Sequence, residues 1–352
     1  MSRKLTYAMA IREAQDQCLA ADSSVFIMGL GVPDPIGIFG TTIGLQEKYG
    51  RKRVMDMPLS ENAMTGVCVG AALNGMRPVL THQRLDFALL SMDQIVNQAA
   101  KWHYMFGGQA KVPMVIRMII GRGWGQGPQH SQSLQAWFAH IPGLKVVMPT
   151  TARDAKGLLI TAIEDDNPVI FLEHRWLYSV EDEVPEEMYR LPIGQARVLR
   201  DGADITIVSS SYMTLEALRA ADHLASQGIS AEVVDLLSLR PLDEKTILAS
   251  VRKTGRLLAV DGGEKACGVS AEIVALASEK AFSEMKSAPQ RLAFPAHPPP
   301  TSPALADDYY PRHCDVAASV LDIFGKPVDQ TLFDRPQGRR LDQPDATFSG
   351  PF

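Results

Sequence analysis

The stretch "PMVIRMIIGRGWGQGPQHSQS", residues 113–133, decides how the chain is read. It opens as a buried strand, "PMVIRMII", and runs into a glycine-rich loop that ends around His130. Two phosphate cradles follow a strand in this way. The dinucleotide fingerprint needs G-x-G-x-x-G, and the P-loop needs G-x-x-x-x-G-K-[ST]. Counted from Gly121, the third glycine position holds Gln126; counted from Gly123, it holds Pro128. No Lys follows, so neither motif is met. The glycines instead let the loop turn at positive φ and pass close to a ligand. A loop leaving a buried strand of a parallel sheet lies where ligand clefts form. His130 adds a side chain suited to proton transfer near neutral pH. A flexible surface loop with a bystander histidine is the plain alternative.

Strand and helix signals alternate on either side of this stretch. "SVFIMGL", "KRVMDMPL", "RPVLTHQ", "LKVVMP" and "PVIFLEH" read as strands. "TTIGLQEKYG", "ENAMTGVCVGAALNG", "LLSMDQIVNQAAKWHYMFGG" and "TARDAKGLLITAIEDD" read as helices, the third one long and ended by Gly107. This alternation predicts a mostly parallel sheet covered by helices on both faces. Near residues 176–192 the pattern breaks into "LYSVEDEVPEEMYRLP", which is acidic, carries two prolines and has the composition of a linker. A second, smaller α/β alternation follows from "DITIVSSS" to "VSAEIVALASEKAF". From about Lys326 the chain is rich in Pro, Asp, Gln and Arg without periodicity and reads as an extended tail. The expected division is 1–190, 191–325 and a tail at 326–352.

With 352 residues, the chain is long enough for two domains with real cores. The formal net charge of −5 comes from mixed acids and bases, and no basic block points to nucleic acid or anionic lipid. No apolar run approaches a membrane span, and the N-terminus lacks a signal peptide's apolar core. Cys18, Cys68, Cys267 and Cys314 are widely spaced with no CxxC pair, as in reduced thiols of a cytoplasmic protein.

Two further stretches carry candidate chemistry. In "MPLSENAMTG", Glu61 sits where a strand ends and a small-residue helix begins. As a plain helix-end carboxylate it contributes well under about 1 kcal/mol through the dipole. Half-buried at the end of a strand, it can instead share a proton with a heterocycle. In "RLDFALL", Phe87 is a core residue or a stacking platform for a ring.

Taken in order, "PLSE", "GAALNGMRPV", "SMDQIVNQAAKWHYMFGG", "QHSQS" and "HIPGLKVVMPTTARDAKGLLITAIEDDNPVIFLEH" resemble one family, the β subunits of thiamine-diphosphate-dependent 2-oxo acid dehydrogenases. That group includes the pyruvate, branched-chain and acetoin dehydrogenases and is related to transketolase. The resemblance runs through "LRPLDEKTI" to "DGGEKACGVSAEI", over roughly residues 5–325. It implies a transketolase pyrimidine-binding domain followed by a transketolase C-terminal domain. It also implies a cofactor held between an α and a β subunit of an α2β2 heterotetramer. The family's GDG…N motif, which holds the diphosphate through Mg2+, is missing here, so the resemblance assigns Mg2+ mainly to the partner.

The family's residues carry over by position. Glu61 matches the carboxylate on the aminopyrimidine nitrogen, where it stabilises the imino tautomer. Phe87 matches the aromatic packed on the pyrimidine, and Leu59 an apolar residue of the same pocket. His130 matches the histidine that serves acid–base steps and acyl transfer to a lipoyl group. Met114, Ala162, Ile163, Asp165 and Asn167 match a structural potassium loop of some relatives. The implied activity is decarboxylation of a 2-oxo acid with transfer of the acyl group to a lipoyl carrier, which brings in a lipoyl acyltransferase as a further partner.

Some positions depart from the family. Leu30 stands where a relay carboxylate is usual, in "GLGV". "THQRLDF" replaces an apolar segment and puts His82, Gln83 and Arg84 beside the cofactor platform. Arg122 and Trp124 replace small residues of the glycine loop. These five are candidates for a substrate pocket that takes something other than simple pyruvate; a reshaped subunit contact is the alternative. Two other functions stay open at this point. One is a transketolase-like or acyloin-forming ligase that adds the acyl carbanion to a carbonyl compound; the other is a non-catalytic scaffold.

Overall fold

The computed structural model describes residues 2–123 and 125–333. The chain forms two compact units: Met1–Gly121 with Trp137–Ile193, and Arg122–Ala136 with Gly194–Phe352. The loop of the opening stretch thus lies inside the first unit in sequence but folds with the second.

The first unit contains strands β1 (Val25–Gly29), β2 (Val54–Met55), β3 (Arg77–His82), β4 (Val115–Ile120), β5 (Lys145–Val147) and β6 (Val169–His174). They lie side by side in the order β5-β6-β4-β3-β1-β2, and every pairing is parallel. β1, β4 and β6 are buried at every position, as expected when helices cover both faces.

Helix α1 (Tyr7–Ala21) lies on one face, where Arg117 of β4 donates to Gln15 Oε1 at 3.0 Å. Helix α2 (Glu61–Leu73) lies on the other, where Cys68 Sγ meets Met28 Sδ at 4.0 Å. Met28 pairs with Leu80, so side chains at 28, 80 and 82 share that second face. Helix α3 (Ala152–Glu164) packs along α1 and starts with a capping box built by Thr151 and Asp154.

Two sequence expectations change here. The acidic stretch read as a linker holds a strand, Glu181–Pro185, antiparallel to Ser2–Thr6. Its partner lies at the other end of the unit's sequence. The buried Lys156 ammonium fixes the turn beyond it, donating to the carbonyls of Pro185 and Glu187 at 2.6 and 2.9 Å. The single long helix expected after residue 88 changes register instead. Asp93–Ala99 is π-helical, with Ala100 N donating to Ile95 O at 3.1 Å, and an α-helical turn resumes at Trp102–Met105.

The second unit contains β7 (Arg197–Arg200), β8 (Ile205–Ser209), β9 (Ala231–Asp235), β10 (Leu257–Glu264) and β11 (Gln290–Phe294), in the order β11-β10-β8-β9-β7. Only β7 runs antiparallel to its neighbour among these pairings. Helices α4 (Tyr212–Ser226), α5 (Glu244–Thr254), α6 (Val269–Lys280) and α7 (His313–Ile323) complete it. Asp243 caps α5, and Gly255 ends it at φ +75°. The expected class holds: two α/β domains, each a mostly parallel sheet flanked by helices.

Candidate active site

Glu61 is the first residue of α2, half-buried, just past the short strand β2. In a parallel α/β sheet this is the side on which the strands end and clefts open. One helical turn on, Thr65 is buried and its hydroxyl has no hydrogen-bond partner. His82, the last residue of β3, shares the face that α2 covers. It is 2% exposed, and neither ring nitrogen has a partner. Burial pushes its imidazole down to about 4, so the ring is neutral and offers one donor and one acceptor. A buried polar atom left without a partner costs about 1–3 kcal/mol. Two such side chains, one a helical turn beyond Glu61 and one on the sheet face that α2 covers, are polar groups of the kind that suits a heterocycle with ring nitrogens and an amino group. The residues present therefore fit the aminopyrimidine of thiamine diphosphate.

The neighbouring candidates divide by role. Phe87 is half-buried and follows the helical start at Leu85. Leu59 is 78% exposed, so the apolar wall expected of it stands largely uncovered by the described residues. Gln83 donates to the Leu30 carbonyl at 2.9 Å. The backbone of Leu30 is thus used locally, while its side chain offers no carboxylate for a relay. Arg84 is buried and donates to the Gly121 carbonyl at 2.6 Å. It steadies the end of the first unit just before the loop.

In the second unit the loop folds back on itself. Gly123 N donates to Gln126 Oε1 and His130 N to the Gly127 carbonyl, at 3.0 and 3.1 Å. Arg122 is fully buried; it donates to the Gln126 carbonyl at 3.0 Å and to the Thr301 carbonyl. His130 is exposed and borders an open depression of about 380 Å³ shared with Thr301. Pro128 and Gln129 also border a larger groove of about 530 Å³ walled by Phe294, His297 and Tyr309. Trp124 lies outside the described residues.

At four of the five potassium positions the oxygens already accept hydrogen bonds from the chain's own donors. The Ile163 and Asp165 carbonyls accept from Arg77 at 3.1 and 2.9 Å. The Ala162 carbonyl accepts from Asp165 N and the Met114 carbonyl from Val169 N. The Asp165 carboxylate accepts from the Lys145 ammonium, and from Asn167 at 2.9 and 3.0 Å. A guanidinium and an ammonium already supply the positive charge those oxygens attract. Among the described residues, no group of three or more His, Cys, Asp or Glu side chains is placed to hold a metal ion. Nor is any of their helices long and apolar enough to cross a membrane.

Sequence reasoning passed over two buried polar pairs. Arg117 and Glu173 meet at 2.5 and 2.8 Å in the first unit. Gln135 and Asp261 meet at 2.7 Å in the second. The signal was a charged residue inside an apolar strand pattern, in "VIRMII", "IFLEH" and "LLAVDGG".

Residues 3–180 match the transketolase pyrimidine-binding domain and residues 194–316 the transketolase C-terminal domain, which defines a transketolase-type protein. The same fold appears in a chain described as a split-gene transketolase, inactive β4 tetramer. The TM-score is 0.73 at 22% identity, covering 91% of this chain and 98% of that one. The chain belongs to the family of β subunits of thiamine-diphosphate-dependent 2-oxo acid dehydrogenases. It is 46% identical over 329 residues to the acetoin:2,6-dichlorophenolindophenol oxidoreductase subunit beta of Cupriavidus necator, covering 91% of this chain and 97% of that protein. It is 42% identical over 320 residues to the pyruvate dehydrogenase E1 component subunit beta of Rickettsia felis, covering 91% and 98%. Both relatives are named as the beta subunit of an enzyme.

Proposed function

We propose that this chain is the β half of a cytoplasmic α2β2 enzyme that decarboxylates a 2-oxo acid and passes the acyl group to a lipoyl carrier on an acyltransferase. The observation that carries this reading is Glu61. It is a half-buried carboxylate at the start of α2, beside the partnerless hydroxyl of Thr65 and on the face of the partnerless imidazole of His82. When bound, thiamine diphosphate supplies the electron sink for loss of carbon dioxide. Glu61 then shares a proton with a pyrimidine nitrogen, while Phe87 and Leu59 give the ring an apolar surround. His130, exposed on its loop, moves a proton to or from the acceptor during acyl transfer.

The partner's place is supported by large apolar side chains that the first unit leaves exposed, among them Val67, Leu90, Tyr104, Met105 and Phe106. Mg2+ is assigned to the partner, because the diphosphate motif is not in this chain. Potassium is left out of the reading, since its oxygens already accept from Arg77, Lys145 and backbone amides. His82, Gln83, Arg84 and Arg122 shape the substrate side. His82 does so with a neutral ring, Arg84 by holding the Gly121 carbonyl, and Arg122 by holding those of Gln126 and Thr301.

The test uses the chain co-expressed with its α partner and a panel of 2-oxo acids; acetoin, a hydroxyketone with no carboxyl to lose, is assayed separately with an artificial oxidant because relatives are named for it. Glu61→Gln is expected to lower turnover by about a hundredfold or more without changing the circular dichroism spectrum. Near-normal turnover would reduce Glu61 to a helix-end carboxylate. Release of carbon dioxide with transfer only to carbonyl compounds would favour the ligase.

A further inference from the structure

The loop Arg122–Ala136 is tied to the second unit on both sides of His130. On the near side, Arg122 donates to the Thr301 carbonyl. On the far side, Gln135 Nε2 donates to Asp261 Oδ1 at 2.7 Å; the two residues are 1% and 4% exposed. The other oxygen of Asp261 accepts from Ser270 N at 3.2 Å, in the first turn of α6. Backbone N–H groups of Gly263 and Val269 add to this shell. The room for it is built in, since a Cβ on Gly263 would stand 2.5 Å from Gln135 Nε2.

The carboxylate is surrounded by neutral donors. Burial pushes the Asp261 carboxyl up from the ordinary range, against the hydrogen bonds that favour its charged form. An apolar pair of similar volume is often no less stable than a buried charge with its partner. Stability therefore gives a weak account of this pair, while orientation gives a direct one. A buried acceptor held by three backbone amides fixes the Gln135 amide, and with it the far root of the loop.

We propose that Gln135 and Asp261 are positioning residues for His130, setting where the loop presents its imidazole to the acyl acceptor. This rests on the reading of His130 as the proton-transfer group of acyl transfer. Both residues act through the loop and need not touch substrate.

The test compares Gln135→Leu, His130→Ala and the double variant, each in the complex with the α partner. Two assays are run: acyl transfer, and carbon dioxide release with an artificial oxidant. Gln135→Leu is expected to lower transfer turnover roughly tenfold to a hundredfold, as for a misplaced group. The KM for the 2-oxo acid and the carbon dioxide release should change little. In the His130→Ala background, Gln135→Leu should cost nothing more, because the two act as a unit. A further loss in that background, or normal transfer by Gln135→Leu alone, overturns the positioning role and leaves His130 standing. Normal transfer by His130→Ala overturns both. Gln135→Glu serves if the leucine variant does not fold. Protonated, the new carboxyl can donate to Asp261; ionised, it repels it, so transfer should recover as pH falls. An unshifted pH profile overturns the proposal.

Discussion

Gly121→Ala tests whether the entry to the loop is fixed by the first unit. Gly121 has φ +81°, and a Cβ there would stand 2.6 Å from His174 Cε1 and 2.7 Å from Nε2. Left-handed backbone costs an L residue about 1–2 kcal/mol. Forcing a methyl against a packed ring adds about 1–3 kcal/mol. The ring has little freedom to retreat, because its Nδ1 accepts from Trp176 N at 3.2 Å. The carbonyl of Gly121 also carries the 2.6 Å bond from Arg84, so a backbone shift strains a second contact. The sum is about 2–5 kcal/mol. Gly125 separates the two causes: its φ is +71°, but a Cβ there meets nothing within 4 Å. Gly125→Ala should therefore lose only the backbone part, about 1–2 kcal/mol. Thermal unfolding of the two variant complexes reads the difference, at about 2–4 °C per kcal/mol for units of this size. Equal losses would refute the steric half of the argument. A fully stable Gly121→Ala would refute both halves.

Three other outcomes follow from the geometry. His82→Phe removes two buried nitrogens without partners, so it should raise the unfolding midpoint while weakening thiamine diphosphate binding in a fluorescence titration. Stability limited by neutral His82 is present above about pH 6.5 and lost as pH falls toward about 4, so the variant should also flatten that limb. For Glu216, burial raises the carboxyl, but bonding from His313 and the charges of Arg312 and Arg219 outweigh it and hold it at about 2. Its stabilisation, about 3 kcal/mol, is present above about pH 4.5 and lost on acidification toward about 2; Glu216→Gln should remove that acid step from the denaturation curve. Exchanging potassium for sodium should leave the unfolding midpoint unchanged, and a rise specific to potassium would show that it displaces Arg77 or Lys145.

The strands were legible because each is a short apolar run bounded by turn residues, and the helices because apolar positions recur every third or fourth residue. What failed to read depended on partners far away in sequence. Glu181–Pro185 is acidic and carries a proline, so its local signal is a linker. It becomes a strand because Ser2–Thr6 pairs with it and Lys156 secures the carbonyls that follow. Arg117 looked misplaced in a buried strand until Glu173, Gln15 and Tyr178 closed around its charge; Tyr178 donates to Glu173 at 2.8 Å. At four of the five potassium positions, Met114, Ala162, Ile163 and Asp165, the oxygens already accept hydrogen bonds, which residue type alone does not tell.

The opening loop shows the same division at the site. Its spacing was enough to reject two phosphate cradles, because both motifs are local and a single residue out of place breaks them. What the loop does instead depends on Arg122 reaching Thr301 and on Gln135 reaching Asp261, each more than a hundred residues away. Glu61 and His82 show why a half-site can still be recognised. The His82 ring nitrogens, and the Thr65 hydroxyl one turn beyond Glu61, have no partner on this chain among the described residues, so polar groups are kept in buried places where apolar ones would stabilise the fold more. Such a cost is sustained where the missing partner is a ligand. The positions that local stability explains least, Glu61, His82, Gln135 and Asp261, are therefore the ones at which substitution should change activity most for the least change in fold.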